Sequence, residues 1–154
     1  MIKIFQAVTD DHMEIARSLF LEYARSLHFD LCFQDFDKEM ESLPGEYAQP
    51  EGRLLLAEYY GETVGCIAMR KLEDGICEMK RLYVKPEYRH FKIGRTLTEI
   101  LITEAKLAGY ANMRLDTIPT MQAAIELYKS LGFQEIEPYR FNPVPGALYM
   151  ELAL

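Results

Sequence analysis

The stretch YRHFKIGRT, residues 88–96, lies between a predicted strand and the most regular helical pattern in the chain. Apolar residues recur every three or four positions from Ile93 onwards, and Gly109 occupies the position that follows many helix C-termini. Ile76 to Val84 before the stretch and Met113 to Asp116 after the helix have the patterns of strands. A strand, helix and strand of this length predict a right-handed crossover between two parallel strands.

Outside this crossover, the patterns predict antiparallel strands and shorter helices. The fold class expected is therefore α/β with a mixed (α+β) sheet, mostly antiparallel, with one parallel crossover and about four helices. The other predicted elements are a strand at Ile2–Ala7, a helix from a capping box at Asp11 and Glu14 to about Leu27, a helix at Asp35–Leu43, strands at Leu54–Tyr60 and Thr63–Arg70 joined by a tight turn at Gly61 and Glu62, a helix at Met121–Leu131, and strands at Gln134–Ile136 and Leu148–Leu152.

Length and composition are those of one folded domain. The 154 residues, of which 49 % are hydrophobic and 27 % charged, predict a single domain over 1–154. We find no apolar run of about 20 residues and no secretory signal, so we expect a cytoplasmic protein that does not enter the membrane. The three cysteines have no CxxC spacing and the three histidines are scattered, so we predict reduced cysteines and no metal.

Charge is unevenly distributed along the chain. The formal net charge of −7 argues against nucleic acid as a partner, since binding phosphates along a strand requires a basic face. However, Lys80 to Arg95 contains six Lys and Arg residues and a single acid, Glu87. An acidic protein with one basic stretch indicates an anionic ligand.

The turn at residues 88–96 has the features of a phosphate site. The first N–H groups of a helix lack intrahelical partners and carry the positive end of the helix dipole. Gly94 allows the close approach of a phosphate, while Arg89, Lys92 and Arg95 add charge and the Thr96 hydroxyl adds a donor. We therefore predict a pyrophosphate ligand here. The alternative is a basic helix start that binds nothing.

Two motifs resemble the GCN5-related N-acetyltransferase (GNAT) family. Arg89 to Gly94 is similar to the family's pyrophosphate turn, [QR]xxGx[GA], with Lys92 in place of the first glycine. AAIELYKSLGF, residues 123–133, resembles the family's later segment NxxAxxLYxxxGF, with Met121 in place of the asparagine. The motifs occur in the family's order, and the resemblance covers nearly the whole chain. It implies a GNAT-like acyl-CoA N-acyltransferase fold.

The resemblance also implies a donor and a mechanism. In this family an amine attacks the thioester of acetyl-CoA directly, and coenzyme A lies in a wedge beside the fourth strand. Tyr128 matches the tyrosine that often protonates the departing sulfur, and its alternative role is to pack on the inner face of the helix. Glu78 occupies a region where members place a base that acts through water. Asp116, a water chain or an exposed, non-catalytic Glu78 are the alternatives. The implied cofactor-binding residues are Leu82, Tyr83, Val84, Arg89, His90, Phe91, Lys92, Ile93, Gly94, Arg95 and Thr96.

Two segments are candidates for the acceptor side. Residues 27–39 interleave aromatic and acidic residues, and in the family this loop lines the acceptor, so Phe29, Asp30 and Phe33 are candidate contacts for a cationic amine. A solvated helix face is the alternative. Residues 138–149 contain three prolines, and their candidate contacts are Tyr139, Arg140 and Asn142, where Arg140 equally suits a substrate that bears a carboxylate.

Three functions are compatible with these features. The first is an N-acetyltransferase that acts on an amine of a small molecule or protein, without a metal and with homodimerisation open. The second is a non-catalytic acyl-CoA-binding regulatory module, which requires the turn but not Tyr128. The third is a nucleotide-binding α/β domain, which the absence of GxxxxGK[ST] and GxGxxG disfavours.

Overall fold

A computed structural model describes residues 1–27 and 35–154, and these form one seven-stranded sheet with helices on both faces. The strand order is β1-β2-β3-β4-β5-β7-β6. The strands are β1 (Ile2–Gln6), β2 (Arg53–Tyr59), β3 (Glu62–Glu73), β4 (Ile76–Val84), β5 (Asn112–Thr117), β6 (Gln134–Ile136) and β7 (Leu148–Ala153). The helices are α1 (Asp10–Ser26), α2 (Phe36–Ser42), α3 (Ile93–Leu107) and α4 (Gln122–Ser130), with 3-10 helices at Gly45–Tyr47 and Pro86–Phe91.

The predicted fold class is confirmed. β4 and β5 are parallel neighbours joined through α3, and the other strand pairs are antiparallel. Helix α3 therefore forms the crossover that the pattern around residues 88–96 predicts. Across the residues that the structure describes, no helix is long and apolar enough to cross a membrane.

Each face of the sheet covers its own apolar core. One core packs α3 and α4 against the sheet, and it includes Leu97, Leu101 and Tyr128. The other packs α1 and α2 against the opposite face through residues such as Phe20 and Met40. Alternate residues of the central strands supply both cores, because successive side chains of a strand point to opposite faces. The burial of both faces explains the long apolar runs of β2 and β3.

Two local predictions were wrong. The N-cap of α1 is Thr9, whose hydroxyl accepts from the His12 N–H at 3.1 Å, while the His12 ring accepts in return from the Thr9 N–H; Asp11 and Glu14 do not form the capping box. The β2–β3 turn consists of Tyr60 and Gly61, both with positive φ, as a two-residue hairpin turn requires. The predicted turn residue Glu62 is already the first residue of β3.

A β-bulge interrupts β4 shortly before the turn at residues 88–96. Lys80 pairs with Ala68 and Tyr83 pairs with Cys66, so two residues of β4, Arg81 and Leu82, oppose a single residue of β3. Arg81 has φ of 63°, a left-handed conformation that a bulge accommodates. The extra residue reverses which side chains face each core, because the side-chain alternation shifts by one position.

Candidate active site

A cleft opens in the sheet where β4 and β5 separate. The two strands pair only through Ile76–Glu78 and Asn112–Arg114, and beyond these positions β5 continues against β7 alone. The bulge bends β4 at the same level. Residues from β4, β5, α1, α4 and the loop after β6 line the cleft: Tyr23, Leu27, Met79, Lys80, Arg81, Leu82, Leu115, Asp116, Thr117, Ile118, Met121, Ala124, Tyr128 and Asn142.

Tyr128 brings the phenol of α4 to this cleft. The residue is 5 % exposed and packs on Phe133 at a ring distance of 5.7 Å. Its hydroxyl has no hydrogen-bond partner within residues 1–27 and 35–154. Burial, with a smaller contribution from Tyr23, raises its pKa above the ordinary value of a tyrosine, so the phenol keeps its proton at neutral pH. A protonated donor therefore faces the cleft.

Asp116 is the carboxylate that lines the same cleft. Its Oδ2 accepts a hydrogen bond from Asn142 Nδ2 at 3.0 Å, and Asn142 Oδ1 accepts from the Val144 N–H. Asn142, predicted as an acceptor contact, therefore lies in the cleft and also fixes Asp116. Gly146, with φ of 79°, lies so close to Pro119 that an added Cβ would approach the proline ring to 2.9 Å. The loop between β6 and β7 thus closes over the end of β5.

At the outer end of β4, the N-terminus of α3 forms the predicted turn. The first intrahelical hydrogen bond runs from the Thr96 N–H to the Lys92 carbonyl at 3.1 Å, so the N–H groups of residues 93–95 precede the helical ladder. A Cβ at Gly94 would meet only the Val84 side chain, at 3.9 Å. Packing within the protein therefore does not require glycine here, and N–H groups at a helix N-terminus are suited to binding an anion.

Lys92 and Thr96 have distinctive local geometry in this turn. Lys92 has φ of 61° and ψ of 27°, in the left-handed region. This conformation is the one that glycine adopts most easily, which accounts for the glycine of the resembling motif. The Thr96 hydroxyl donates to the Lys92 carbonyl at 3.1 Å, so its proton is directed into the helix rather than towards a phosphate.

The basic side chains beside the turn keep much of their donor capacity. Arg89 donates through Nε to the Val84 carbonyl at 2.8 Å and lies over the Tyr83 ring, while its terminal nitrogens bond to no other described residue. Arg95 donates to the Ser130 hydroxyl at 3.1 Å and pairs with Glu99 at 3.7 Å. The other predicted cofactor residues are an exposed His90, an exposed Phe91 that stacks on Tyr59, a buried Ile93, and Leu82, which lines the cleft.

Glu78, the predicted base, lies at the apex of the wedge but does not line the cleft. Its side chain is fully buried, so the alternative of an exposed strand carboxylate is wrong. Oε1 accepts from Arg70 at 3.0 Å and from Arg140 at 2.8 Å, and Oε2 accepts from the Tyr139 hydroxyl at 2.7 Å. A carboxylate held by two guanidinium groups and a phenol has little capacity left for an amine proton.

The predicted acceptor residues other than Asn142 divide into three groups. The hydroxyl of Tyr139 is engaged by Glu78, so this residue supports the site from behind. Arg140 lines a second cavity, of about 540 Å³, that lies between α2, the 3-10 helix Gly45–Tyr47 and β4. Phe29, Asp30 and Phe33 lie outside the described residues.

Sequence reasoning missed two basic residues of β4. Arg81 is 4 % exposed and donates to both oxygens of Glu39 at 3.0 and 2.9 Å, so one cation of the basic stretch neutralises one acid of α2. Lys80 lines both the cleft and the second cavity. Its position in the middle of a strand was the available signal, because a lysine there is unusual unless it has a partner. In the described ranges no group of three His, Cys, Asp or Glu residues is arranged to hold a metal ion.

This arrangement, a mixed sheet wedged open beside a helix N-terminus, defines an acyl-CoA N-acyltransferase type of fold, and comparisons with known proteins agree. The model of the "Acetyltransferase (GNAT) family" matches residues 10–133. The chain therefore belongs to the GNAT family of acetyltransferases.

A relative in sequence supports the family assignment, and two solved structures support the fold. The chain is 41 % identical over 140 residues to an uncharacterized N-acetyltransferase of Schizosaccharomyces pombe, covering 90 % of this chain and 86 % of the relative. A GNAT-family acetyltransferase of Staphylococcus aureus superposes with a TM-score of 0.82 at 22 % identity, with 99 % of each chain covered. A PaiA N-acetyltransferase of Thermoplasma acidophilum, solved with coenzyme A, superposes with a TM-score of 0.76 at 19 % identity, covering 100 % of this chain and 99 % of that one.

Proposed function

We propose that this protein is an N-acetyltransferase that moves an acetyl group from acetyl-CoA to an amine by direct attack. The observation that carries the proposal is the Tyr128 hydroxyl, which is protonated, buried and unbonded within the described residues, in the cleft between β4 and β5. A module that only binds acyl-CoA has no need of such a proton donor. Family membership supports acetyl transfer in general, while the donor and the acceptor are our inference.

Acetyl-CoA supplies the acetyl group and a thiolate leaving group. The residues that would hold it fit its chemistry. The N–H groups of residues 93–95 and the guanidinium groups of Arg89 and Arg95 suit the pyrophosphate, and the open space at Gly94 allows a close approach. The backbone of Leu82 to Val84 connects this turn with the cleft and is suited to pairing with the pantetheine amides. Alignment of the thioester and the amine in such a cleft is worth roughly 7–11 kcal/mol.

Two side chains of the cleft would move the protons. Asp116, oriented by Asn142, takes the proton that the amine loses as its nitrogen forms the new bond to the acetyl carbon. Tyr128 gives its proton to the sulfur as the carbon–sulfur bond breaks. A phenol can serve in this step because burial raises its pKa and it therefore carries a proton at neutral pH. Charge is therefore balanced at both ends of the reacting group.

Release of free coenzyme A from acetyl-CoA, measured across a broad panel of amines, tests the proposal. We expect turnover with at least one class of amine and a rise of the melting temperature with acetyl-CoA. Stabilisation by acetyl-CoA without turnover of any amine would favour the non-catalytic binding module. Stabilisation by ATP rather than coenzyme A would point to the nucleotide-binding alternative.

The role of Asp116 requires its own comparison. Asp116→Asn should lower kcat by about a hundredfold, the usual effect of removing a general base, and leave acetyl-CoA affinity unchanged. Asp74→Asn removes a carboxylate from the β3–β4 turn, far from the cleft, and is the matched control. If Asp116→Asn retained full turnover, the proton acceptor would be water or another group.

A further inference from the structure

The most informative group that the proposed mechanism does not use is Lys80. Its side chain lines the cleft that holds Tyr128 and Asp116, and it also lines the second cavity beside Arg140. Within residues 1–27 and 35–154 its ammonium has neither a hydrogen bond nor an ion pair. A desolvated ammonium group without a partner is costly, and such a group in a cavity is a candidate for binding a ligand.

Three carboxylates near Lys80 are already engaged by arginines. Both oxygens of Glu39 accept from Arg81, and Glu46 pairs with Arg70 at 3.1 Å. Glu78 accepts from Arg70, Arg140 and Tyr139. Lys38 and Asp35 also line the second cavity, and Asp116 lines the cleft.

Arg140 provides a second, independent sign of unused donor capacity. Only its Nη2 forms a hydrogen bond, to Glu78, whereas its Nε is buried without a partner among the described residues. Buried donors of this kind are rare and call for an explanation. Arg140 is close enough to Lys80 to lower the pKa of the lysine, although burial is the larger cause. The two cations therefore converge on the junction of the cleft and the cavity.

We propose that the acceptor amine also carries an anionic group, in the simplest case a carboxylate, which Lys80 and Arg140 bind while the amine lies near Asp116 and Tyr128. This inference rests on the proposed function and specifies its substrate class. A carboxylate fits the fork of donors on a guanidinium and the point charge of an ammonium. A cationic polyamine fits less well, because Lys80 and Arg140 line the cavity while Glu39, Glu46 and Glu78 are paired with arginines.

Matched acceptors provide the test. The probes are the twenty α-amino acids, 4-aminobutyrate, the carboxamide of each and 1,4-diaminobutane, all with acetyl-CoA at saturation. We expect kcat/KM for the preferred amino acid to exceed that of its carboxamide by roughly tenfold to a hundredfold, the range of a charge-assisted hydrogen bond. Preferential turnover of the carboxamide or the diamine would overturn the inference.

Lys80→Gln identifies the residue responsible. Because Lys80 has no partner within the described residues, its removal breaks no ion pair among them. We expect this variant to lose the preference for the carboxylate, with the change mainly in KM. Lys106→Gln removes an equal charge from the last turn of α3 and should keep the preference. If Lys80→Gln kept the preference for the carboxylate over the carboxamide, the inference would be wrong.

A binding measurement separates this inference from the transferase proposal. The melting temperature of the coenzyme A complex is measured with each amino acid and with its carboxamide. If no amine is acetylated but the acids stabilise more than the amides, and Lys80→Gln removes this difference, the anion site stands and acetyl transfer fails. Equal stabilisation by acids and amides, together with absent turnover, would contradict both the anion site and acetyl transfer.

Discussion

The turn that would hold the donor and the region around the proposed acceptor site are built in opposite ways. The turn at residues 88–96 is largely exposed, and it offers backbone N–H groups and side chains with few internal contacts. The acceptor region is a network of buried charges, in which Glu78 connects β3, β4 and the loop after β6. The proposed donor site is thus an exposed backbone surface, whereas the proposed acceptor region consists of buried side chains that pair with one another.

This difference separates general from specific recognition. A helix N-terminus offers backbone N–H groups to a phosphate, and this type of recognition does not depend on the acceptor. A buried network of ion pairs holds each charge in one geometry and is intolerant of change, because removal of one partner leaves another charge desolvated. We therefore expect substitutions in the turn to affect acetyl-CoA binding alone, and substitutions in the network to affect stability and acceptor choice.

Gly94→Glu should have the largest effect. An unchanged affinity for acetyl-CoA would contradict the difference between the turn and the buried network. We expect acetyl-CoA binding to fall beyond detection, a loss of roughly 3 kcal/mol or more, because a carboxylate would occupy the space in front of the N–H groups and repel phosphate. Titration calorimetry measures the affinity. Gly94→Ala is the matched control for folding, since its Cβ meets nothing within 3.9 Å, and it should add up to about 1 kcal/mol of helix stability. Normal acetyl-CoA binding by Gly94→Glu would mean that the donor binds elsewhere on the protein.

Glu78→Gln tests the network of buried charges. We expect the free energy of unfolding in urea to fall by about 3–5 kcal/mol, because Arg70 and Arg140 lose the charge that compensates them. Glu73→Gln removes an ion pair whose carboxylate is 59 % exposed, and it should cost less than about 1 kcal/mol. A stable Glu78→Gln protein with an altered pH profile of kcat would instead restore Glu78 as the base.

Tyr128→Phe tests whether the proton donor affects turnover without affecting acetyl-CoA binding. Turnover should drop about a hundredfold because the sulfur loses its proton donor, while acetyl-CoA affinity stays within about twofold of wild type. Steady-state kinetics and calorimetry provide the two numbers. Tyr110→Phe removes a hydroxyl that donates to the Glu51 carbonyl, outside the cleft, and should leave turnover unchanged. Equal turnover of Tyr128→Phe and wild type would limit Tyr128 to packing.

The smallest effect concerns pH and the acceptor. Burial, with Arg81 next, lowers the pKa of Lys80 to about 8, while Glu78 and Glu39 oppose the shift and Arg140 adds to it. As the pH rises from 7 to 9 the ammonium loses its proton, so KM for a carboxylate-bearing acceptor should rise by up to about tenfold. The KM of the matched carboxamide, and both values in Lys80→Gln, should not show this rise. A flat KM in wild type would mean that Lys80 does not bind the acceptor.

Much of the fold was predictable because its signals are local. The crossover from Ile76 to Thr117 follows from two strand patterns around one regular helix, and the parallel pairing of β4 with β5 confirms it. The turn and Tyr128 were identifiable because each lies within a contiguous motif. The cap of α1 was harder, since His12 can take the place of the usual glutamate at that position.

The sequence alone determined the order of the elements and the crossover, since these depend on periodicity within about a dozen neighbouring residues. The predicted phosphate turn follows from local backbone geometry, and the candidate acid Tyr128 follows from a resemblance between motifs. Only the tertiary structure decided that Glu78 is buried in an ion-pair network, that Arg81 stands in a bulge and binds Glu39, and that Lys80 joins two cavities. The partners in that network are as many as 62 residues apart in the chain. Desolvation and charge pairing depend on which groups the fold brings together, and no local pattern contains that information.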